Sequence, residues 1–305
     1  MELYSAEEKP VISSWFAQLK YFFISLRPYQ WSKNFLVFAA LLFSGRVGDL
    51  PSLFHATVAF GIFCLASGAG YIINDILDRE KDQFHPRKKT RPIASGRLSI
   101  TTAMWGAGLA YAIAVLVSAV ISPQLFFVVL GYIILTFSYS LKLKHFAIID
   151  ILIVAIGFVL RAIAGAVAIA VDISPWLLVC TLFLALFLII GKRRNELILL
   201  EENAVNHRKN LSEYSIHFFD QAIAIVTAAT IVSYALYTLS AETIAKFNTT
   251  NLIYTLPFVV GGIFRYLHLL YHKRLGDEPE RILITDYGIV FSVLGWLMLV
   301  YWIIL

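Results

Sequence analysis

Charged side chains are scarce in this chain. Asp, Glu, Lys and Arg account for 15% of the 305 residues, whereas a typical soluble domain contains about 25% of them. Hydrophobic side chains account for 59%, and the mean hydropathy is +0.75. Because so few polar residues could not cover a water-facing surface, this composition excludes a soluble globular protein and predicts a membrane protein.

Cysteine and the common soluble catalytic motifs are also nearly or wholly lacking. The two cysteines, Cys64 and Cys180, lie within apolar runs, so neither a disulfide nor a metal-binding pair is predicted. The sequence contains no Gly-rich phosphate loop, no His/Cys cluster and no Ser/His/Asp set. The net charge of +5 follows from the basic loops of a membrane protein, so it does not indicate nucleic-acid binding.

Apolar runs dominate what is present. Runs long enough, or nearly so, to cross a hydrocarbon core of about 30 Å as helices occur at residues 31–44, 53–73, 101–121, 125–139, 148–171, 176–190, 219–239, 254–271 and 287–305. We therefore predict an all-α integral membrane protein with nine transmembrane helices. Residues 29–305 would form this single domain, and residues 1–28 a polar tail followed by an interfacial helix.

The loops between these runs differ in charge. All but four of the 25 Lys and Arg residues lie in the N-terminal segment and in alternate loops on its side of the membrane. Arg46 and Lys246 lie on the opposite side, and Arg161 and Arg265 lie within apolar runs. The positive-inside rule then predicts a multi-pass protein of the plasma or inner membrane with its N-terminus in the cytoplasm.

The most polar stretch follows the second run and reads YIINDILDREKDQFHPRKKTRPIASGRLS, residues 71–99. On one continuous helix Asp75, Asp78 and Asp82 would share a face, with Asn74 beside them. Three like charges repel at such distances unless a cation lies among them, and hard oxygen ligands suit Mg²⁺. We predict these four residues as catalytic metal ligands facing the cytoplasm; a solvated loop of mixed charge is the alternative.

Further polar residues near the cytoplasmic ends of the runs, or within them, are candidates for substrate binding. They are Lys33, Arg87, Lys88, Arg91, Tyr139, Lys142, Arg161, Lys192, Arg193, Glu196 and Arg265. Basic residues among them could contact phosphates, and an Arg within a membrane helix is a functional hypothesis by default. The alternatives are interfacial anchors for Lys33 and Tyr139, and a solvated ion pair for Lys192 and Glu196.

The pattern Asn-Asp-x-x-Asp-x-x-x-Asp, which residues 74–82 match completely, resembles the first motif of the UbiA superfamily of intramembrane prenyltransferases. The nine runs and the basic tail HPRKKTRPIASG extend the resemblance over essentially the whole chain. It implies a helical bundle around a central cavity open to cytoplasm and lipid. It also implies that the Asp residues hold Mg²⁺ against a diphosphate.

One departure from the family pattern points to a particular branch. Typical aromatic prenyltransferases of the family carry a second Asp-rich motif after the sixth helix, whereas residues 192–196 here read KRRNE. Together with RPYQWSKN, YSLKLK and LRAIAGA, this replacement resembles the branch typified by decaprenyl-phosphate phosphoribosyltransferase. That resemblance implies Mg²⁺-dependent transfer of 5-phosphoribose from phosphoribosyl diphosphate to a polyprenyl phosphate, in cell-envelope biosynthesis.

Other functions and an assembly remain open at this stage. The main alternative is a UbiA-type aromatic prenyltransferase of quinone biosynthesis, with the lipid as the diphosphate donor. A transporter or lipid-binding scaffold is the non-enzymatic alternative. The sequence also leaves homo-oligomerisation open.

Overall fold

The computed structural model describes residues 15–85, 88–202, 213–272 and 279–304, and within these ranges the regular structure is entirely helical. The α-helices, in chain order, are α1 (Trp15–Ser25), α2 (Ala39–Phe43), α3 (Leu50–Leu77), α4 (Arg79–Phe84), α5 (Ile100–Ile121), α6 (Pro123–Leu141), α7 (Ile149–Ala168), α8 (Pro175–Glu202), α9 (Ile216–Leu239), α10 (Ala241–Phe247), α11 (Leu256–His272), α12 (Pro279–Thr285) and α13 (Tyr287–Ile304). Short 3₁₀ helices occur at Pro28–Phe38, Lys88–Thr90, Leu143–His145 and Asn251–Thr255.

Eight helical segments in the described ranges are long and apolar enough to cross a membrane, and they are centred on α3, α5, α6, α7, α8, α9, α11 and α13. The predicted all-α membrane fold is therefore confirmed, but the count of nine was approximate. The first predicted span, residues 31–44, is not one α-helix: it is the 3₁₀ helix Pro28–Phe38 followed by the five-residue α2. At about 2.0 and 1.5 Å per residue these two pieces together extend about 30 Å.

Polar capping residues begin four of the long helices. Their side-chain oxygens accept a hydrogen bond from the backbone N–H three residues on, as expected of an N-cap. The caps are Asp49 before α3, Ser99 before α5, Ser122 before α6 and Ser215 before α9. Pro51 and Pro123 lie in the first turns of α3 and α6, where a missing N–H removes no helical hydrogen bond.

The two largest hydrophobic cores among the described residues share one helix, α7. One core joins α3, α5 and α6 to the C-terminal half of α7 through residues such as Phe63 and Tyr132. The other joins the N-terminal half of α7 to α8, α9, α11 and α13 through residues such as Phe187 and Phe219. Because α7 contributes mainly small buried side chains, both groups of helices can approach it closely.

The segment predicted as an interfacial helix contains α1. It exposes several large apolar side chains, including Trp15, Phe16 and Phe23, and its other face packs on α3 and α5. Gln18 fastens it to the loop before α5, donating to the carbonyl of Arg97 and accepting from the N–H of Ser99. The first turn of α1 is thereby held beside the loop before α5.

Candidate active site

The four predicted metal ligands lie where α3 ends and α4 begins. Asp75 and Asp82 are each 3% exposed, and they share one partner: Nη1 of Arg91 lies 3.0 Å from Oδ1 of Asp75 and 2.6 Å from Oδ2 of Asp82. Nζ of Lys144 lies 2.8 Å from both carboxylate oxygens of Asp78 and 3.1 Å from Oδ1 of Asn74. The four side chains therefore form two pairs, Asp75 with Asp82 and Asn74 with Asp78.

The continuous helix on which the three carboxylates would share a face is interrupted at Asp78. Asp78 ends α3 with φ −94° and ψ 5°, and α4 begins at the next residue. This break separates Asp78 from the direction that Asp75 and Asp82 share. The spacing of seven residues between those two is retained across the break, because two turns of helix return a side chain to nearly the same face.

Arg27 is a third basic residue at this cluster, and the sequence reading did not select it. Its Nη2 lies 2.6 Å from Oδ1 of Asp75, and its guanidinium carbon lies 4.9 Å from the ring centre of Tyr71. The backbone of Arg27 is left-handed, with φ 54° and ψ 62°, a conformation that favours glycine and is costly for other residues. This turn directs the chain from α1 into the 3₁₀ helix Pro28–Phe38.

Lys144, rather than the predicted Lys142, contacts two of the four predicted metal ligands. We call these four residues, Asn74, Asp75, Asp78 and Asp82, the acidic motif. Lys144 is 4% exposed and lies in the short 3₁₀ helix Leu143–His145, whereas Lys142 is exposed. The stretch YSLKLK offers two lysines two residues apart, and the sequence alone does not say which of them turns inward. Burial of Lys144 without a carboxylate partner would be costly, and Asp78 supplies that partner.

The oxygen donors fit a hard divalent cation in chemistry. Three carboxylates and an amide oxygen are ligands that Mg²⁺ accepts, although no group of three or more Asp, Glu, His and Cys side chains in the described ranges converges on one metal position. Burial raises the pKa of Asp82, and the charges of Arg91 and Lys88 partly offset this. The motif therefore offers two pairs of oxygen ligands. The two members of each pair contact the same basic side chain, Arg91 in one pair and Lys144 in the other.

A second polar cluster lies near the N-terminal end of α7 and the C-terminal part of α8. Nε of the buried Arg193 lies 3.0 Å from Oδ2 of Asp150, its Nη1 lies 2.6 Å from Oε2 of Glu196, and its Nη2 donates to the hydroxyl of Tyr139 at 3.3 Å. The predicted residues Tyr139, Arg193 and Glu196 are thus brought together, with Asp150 added. The partly exposed Lys192 directly precedes this cluster.

The joint before α7 connects these two clusters. Ile148, between Lys144 and Asp150, has φ 65° and ψ −48°, and Ile149 donates to the carbonyl of Ala147 at 2.7 Å, as in a γ-turn. A positive φ is rare for a β-branched residue. The hydroxyl of Tyr214 accepts the N–H of Ile148 and lies 3.4 Å from Oδ1 of Asp150, so this turn is held from a second side.

Arg161 is buried in the bundle, 5% exposed, and makes three hydrogen bonds. It donates to Oδ1 of Asn34 at 2.7 Å, to the carbonyl of Gly157 at 2.7 Å and to the hydroxyl of Tyr132 at 2.8 Å. Asn34 in turn donates to Ser67, which precedes Asp75 by eight residues on α3, or about 12 Å. Arg161 therefore lies well below the acidic motif.

The remaining predicted residues lie on several different elements. Arg265 forms a two-point ion pair with Asp286, with distances of 3.0 and 2.9 Å. Nζ of Lys33 lies 3.4 Å from Oε1 of Gln30, and the backbone N–H of Lys88 donates to His85. Arg87 lies outside the described residues.

Several proteins of similar sequence share one name. The decaprenyl-phosphate phosphoribosyltransferase of Mycolicibacterium smegmatis is 34% identical over 284 residues, which cover 90% of this chain and 89% of that protein. Its counterpart in Corynebacterium glutamicum is 33% identical over 285 residues, covering 89% of this chain and 83% of that protein. The Mycobacterium tuberculosis protein of the same name is 32% identical over 284 residues, covering 90% of each.

Solved structures share the fold, and a family description matches most of the chain. A UbiA homolog from Archaeoglobus fulgidus, described as bound to GPP and Mg²⁺, superposes with a TM-score of 0.70 at 22% identity, covering 93% of this chain and 99% of that one. A UbiA homolog from Aeropyrum pernix K1 gives a TM-score of 0.66 at 14% identity, covering 92% and 97%. Residues 34–294 match the UbiA prenyltransferase family. The chain belongs to this family of membrane transferases, as the resemblance predicted.

Proposed function

We propose that this protein transfers 5-phosphoribose from phosphoribosyl diphosphate to a polyprenyl phosphate and releases diphosphate. The observation that carries the proposal is the similarity, over about nine tenths of the chain, to three proteins named decaprenyl-phosphate phosphoribosyltransferase. Residues 192–196 read KRRNE, at the place where typical aromatic prenyltransferases of the family carry Asp residues. This basic sequence supports a substrate with an additional phosphate.

The acidic motif is proposed to bind the diphosphate end of the donor. Asn74, Asp75, Asp78 and Asp82 would hold Mg²⁺, and a bound Mg²⁺ would supply positive charge next to the leaving diphosphate. Arg91 contacts these carboxylates and could reach the diphosphate directly. Lys88 and Arg87 adjoin Arg91 in sequence and are proposed to contribute in the same way.

The acceptor requires no strong base under this proposal. The second pKa of a phosphate monoester is about 6, so an oxygen of the lipid phosphate is already anionic at neutral pH. That oxygen forms a bond to C1 while the C1–O bond to diphosphate breaks and its electron pair leaves with the diphosphate. No proton has to move, which agrees with the preponderance of Lys, Arg and carboxylate groups at the motif rather than histidine.

The second cluster is proposed to bind the 5-phosphate of the donor. Within it Arg193 is held by Asp150, Glu196 and Tyr139, so we assign it to shaping this site. The neighbouring Lys192 is assigned to direct contact with the phosphate. Lys142, exposed on the loop between the two clusters, is proposed to attract the anionic donor from the cytoplasm.

The acceptor phosphate is proposed to enter near Lys33. This residue follows the left-handed turn at Arg27 in the chain, and the segment bearing both residues borders α3 and α7. Arg161 contacts Asn34, whose partner Ser67 lies about 12 Å of helical rise from Asp75. We therefore place Arg161 too deep for a phosphate that must reach the same carbon as the diphosphate. Arg161 is therefore proposed to position Asn34, and Arg265 to join α11 to the start of α13 through Asp286.

The test is the identity of the lipid product. Purified full-length protein is incubated with Mg²⁺, decaprenyl phosphate and phosphoribosyl diphosphate, and the extracted lipid is analysed by mass spectrometry. We expect a lipid heavier than the acceptor by one phosphoribosyl group. A parallel reaction with a prenyl diphosphate and a phenolic acid tests the aromatic prenyltransferase alternative, and prenylated phenol formed there alone would contradict the proposal.

Variants of the motif make this experiment specific. Asp75→Asn, Asp78→Asn and Asp82→Asn keep the side-chain volume and should each lower turnover by about 10²-fold or more, as expected for the loss of a group that stabilises transition-state charge. Asp172→Asn is the matched control, because Asp172 is exposed at the opposite end of α7. Undiminished turnover in all three motif variants would contradict the assignment of this site.

A further inference from the structure

Basic side chains at least balance the charge of the acidic motif. In the described ranges, Asp75, Asp78 and Asp82 form ion pairs with Arg27, Arg91 and Lys144 at 2.6 to 3.0 Å. Three negative charges therefore meet three positive charges within direct contact. A cluster of this composition has no net negative charge with which to attract a divalent cation.

These ion pairs use the oxygens that a metal would need. Both carboxylate oxygens of Asp78 lie 2.8 Å from Nζ of Lys144, which also contacts Asn74. Mg²⁺ requires its oxygen ligands at about 2.0–2.1 Å, so an ion held by Asp78 and Asn74 would take the place of the ammonium group. Lys144 would then require another anionic partner, because it is buried and charged.

The charged side chains of the cluster are mostly buried, so water and salt screen their charges only weakly. Asp75 is 3% exposed, and the side chains of Arg27 and Lys144 are 14% and 5% exposed. Charges at such positions are screened far less by salt and water than charges at a surface. An additional divalent ion would leave the cluster with an excess of positive charge, which only an accompanying anion could neutralise.

The basic groups are placed to bind that anion. Arg27 contacts Asp75 through Nη2, and Arg91 contacts Asp75 and Asp82 through Nη1. A guanidinium carries five N–H donors in a planar fork, so each arginine retains donors suited to phosphate oxygens. The same side chains can therefore pass from carboxylates to a diphosphate without leaving the site.

We infer that the acidic motif binds its divalent cation only together with a diphosphate-bearing ligand, and that Arg27, Arg91 and Lys144 enforce this coupling. The inference rests on the proposed function for the identity of the metal site. It adds Arg27 and Lys144 as residues that bind the diphosphate. It also makes metal uptake depend on the anionic substrate.

The test measures metal binding without turnover. Full-length protein in detergent is brought to equilibrium by dialysis against radioactive Mn²⁺, with and without inorganic diphosphate, and sulfate serves as the control anion. The soluble Mn²⁺–diphosphate complex equilibrates across the dialysis membrane, so any excess of metal in the protein chamber is bound to the protein. We expect weak binding with Mn²⁺ alone or with sulfate, and at least about tenfold tighter binding with diphosphate, since one neighbouring charge alters proton affinity about 10- to 1,000-fold.

Variants that remove one positive charge test whether Arg27 and Lys144 cause the coupling between metal and diphosphate binding. Arg27→Gln and Lys144→Gln should each strengthen binding of Mn²⁺ alone by about tenfold and reduce the gain from diphosphate. Arg27→Lys keeps the charge and should resemble the unmodified protein. Lys20→Gln, an exposed position on α1, is the matched control for loss of one positive charge and should change nothing.

The outcomes separate this inference from the proposed function. Equally tight Mn²⁺ binding with and without diphosphate would overturn the coupling and leave the metal site intact. Binding that Asp78→Asn does not weaken under any condition would instead remove the metal from this motif and overturn both. Failure to form a phosphoribosyl lipid, with Mn²⁺ uptake still coupled to diphosphate, would contradict only the proposed substrate.

Discussion

Arg27 combines a costly backbone conformation with a contact at the candidate active site. A left-handed backbone costs a residue other than glycine about 1–2 kcal/mol, and the side chain of Arg27 pairs with Asp75 at 2.6 Å. Strain of this kind persists where the surrounding structure fixes it, and it is concentrated at functional sites. The side chain, rather than the turn, therefore accounts for the presence of arginine at this position.

Two substitutions separate the side chain from the turn. Arg27→Gly and Arg27→Ala both remove the guanidinium, but only glycine relieves the left-handed strain. We expect both variants to lose turnover to a similar extent, and Arg27→Gly to be more stable than Arg27→Ala by about 1 kcal/mol. Thermal unfolding in detergent measures the difference, and an Arg27→Ala variant as stable as Arg27→Gly would contradict the strain.

Sequence reasoning found the residues of the motif but not all of their partners. Asn74, Asp75, Asp78 and Asp82 stand out because their spacing is regular in an otherwise apolar chain. Arg27 and Lys144 reach them across 48 and 66 residues of sequence. Such contacts follow from how the helices assemble, which the spacing of one segment does not encode.

The ion pair of Arg265 with Asp286 should make stability depend on pH. Pairing with Arg265 lowers the pKa of Asp286 to about 2, below its usual value near 4. A lowered pKa in the folded state stabilises the protein above the unfolded pKa, and this contribution is lost as the pH falls toward 2. Asp286→Asn should therefore lower the Tm at pH 6, and the difference should narrow below about pH 4.

Asp172→Asn provides the control for this measurement, since Asp172 is exposed in the described structure. It should leave the Tm unchanged at each pH. A Tm difference for Asp286→Asn that persists undiminished to pH 3 would indicate that the carboxylate is needed for packing or capping rather than for its charge.

At the scale of elements, the first membrane segment depends on a close contact that hydropathy does not report. A Cβ added at Gly165 of α7 would overlap the carbonyl of Val37 in the 3₁₀ helix Pro28–Phe38. Apolar runs predicted the other spans because length and hydropathy suffice for a membrane helix. They could not predict 3₁₀ winding, because the winding of this segment is fixed by its contacts with α3 and α7.

Gly165→Ala should therefore displace the first segment. The overlapping atom belongs to the backbone, so no rotamer change can relieve the contact, and we expect a lower Tm together with reduced turnover. Gly131→Ala is the control, because a Cβ at that helical position meets nothing within 4 Å. Equal stability of the two variants would contradict the close packing of α7 on Pro28–Phe38.

At the scale of the whole molecule, the acidic motif, the second cluster and most basic residues gather at one end of the bundle. Lys144, Arg193 and Arg91 come from different loops and helices, yet all three contact groups at this end. The alternation of basic and neutral loops predicted this gathering, because a helix that crosses the membrane returns its next loop to the opposite side. The sequence did not predict how the two clusters are joined, since this depends on the turn at Ile148.

The orientation of the bundle is a proposal that labelling can test. The positive-inside rule places the end with the acidic motif in the cytoplasm, where a water-soluble anionic donor could enter without crossing the membrane. Cysteines introduced at Lys89 and Lys246, in a background lacking Cys64 and Cys180, provide one probe on each side. Lys89 lies in the 3₁₀ helix Lys88–Thr90 and Lys246 in α10. We expect a membrane-impermeant maleimide to label the Lys246→Cys variant in intact cells and the Lys89→Cys variant only after the membrane is opened. Labelling of Lys89→Cys in intact cells would reverse the orientation and place the motif away from a cytoplasmic donor.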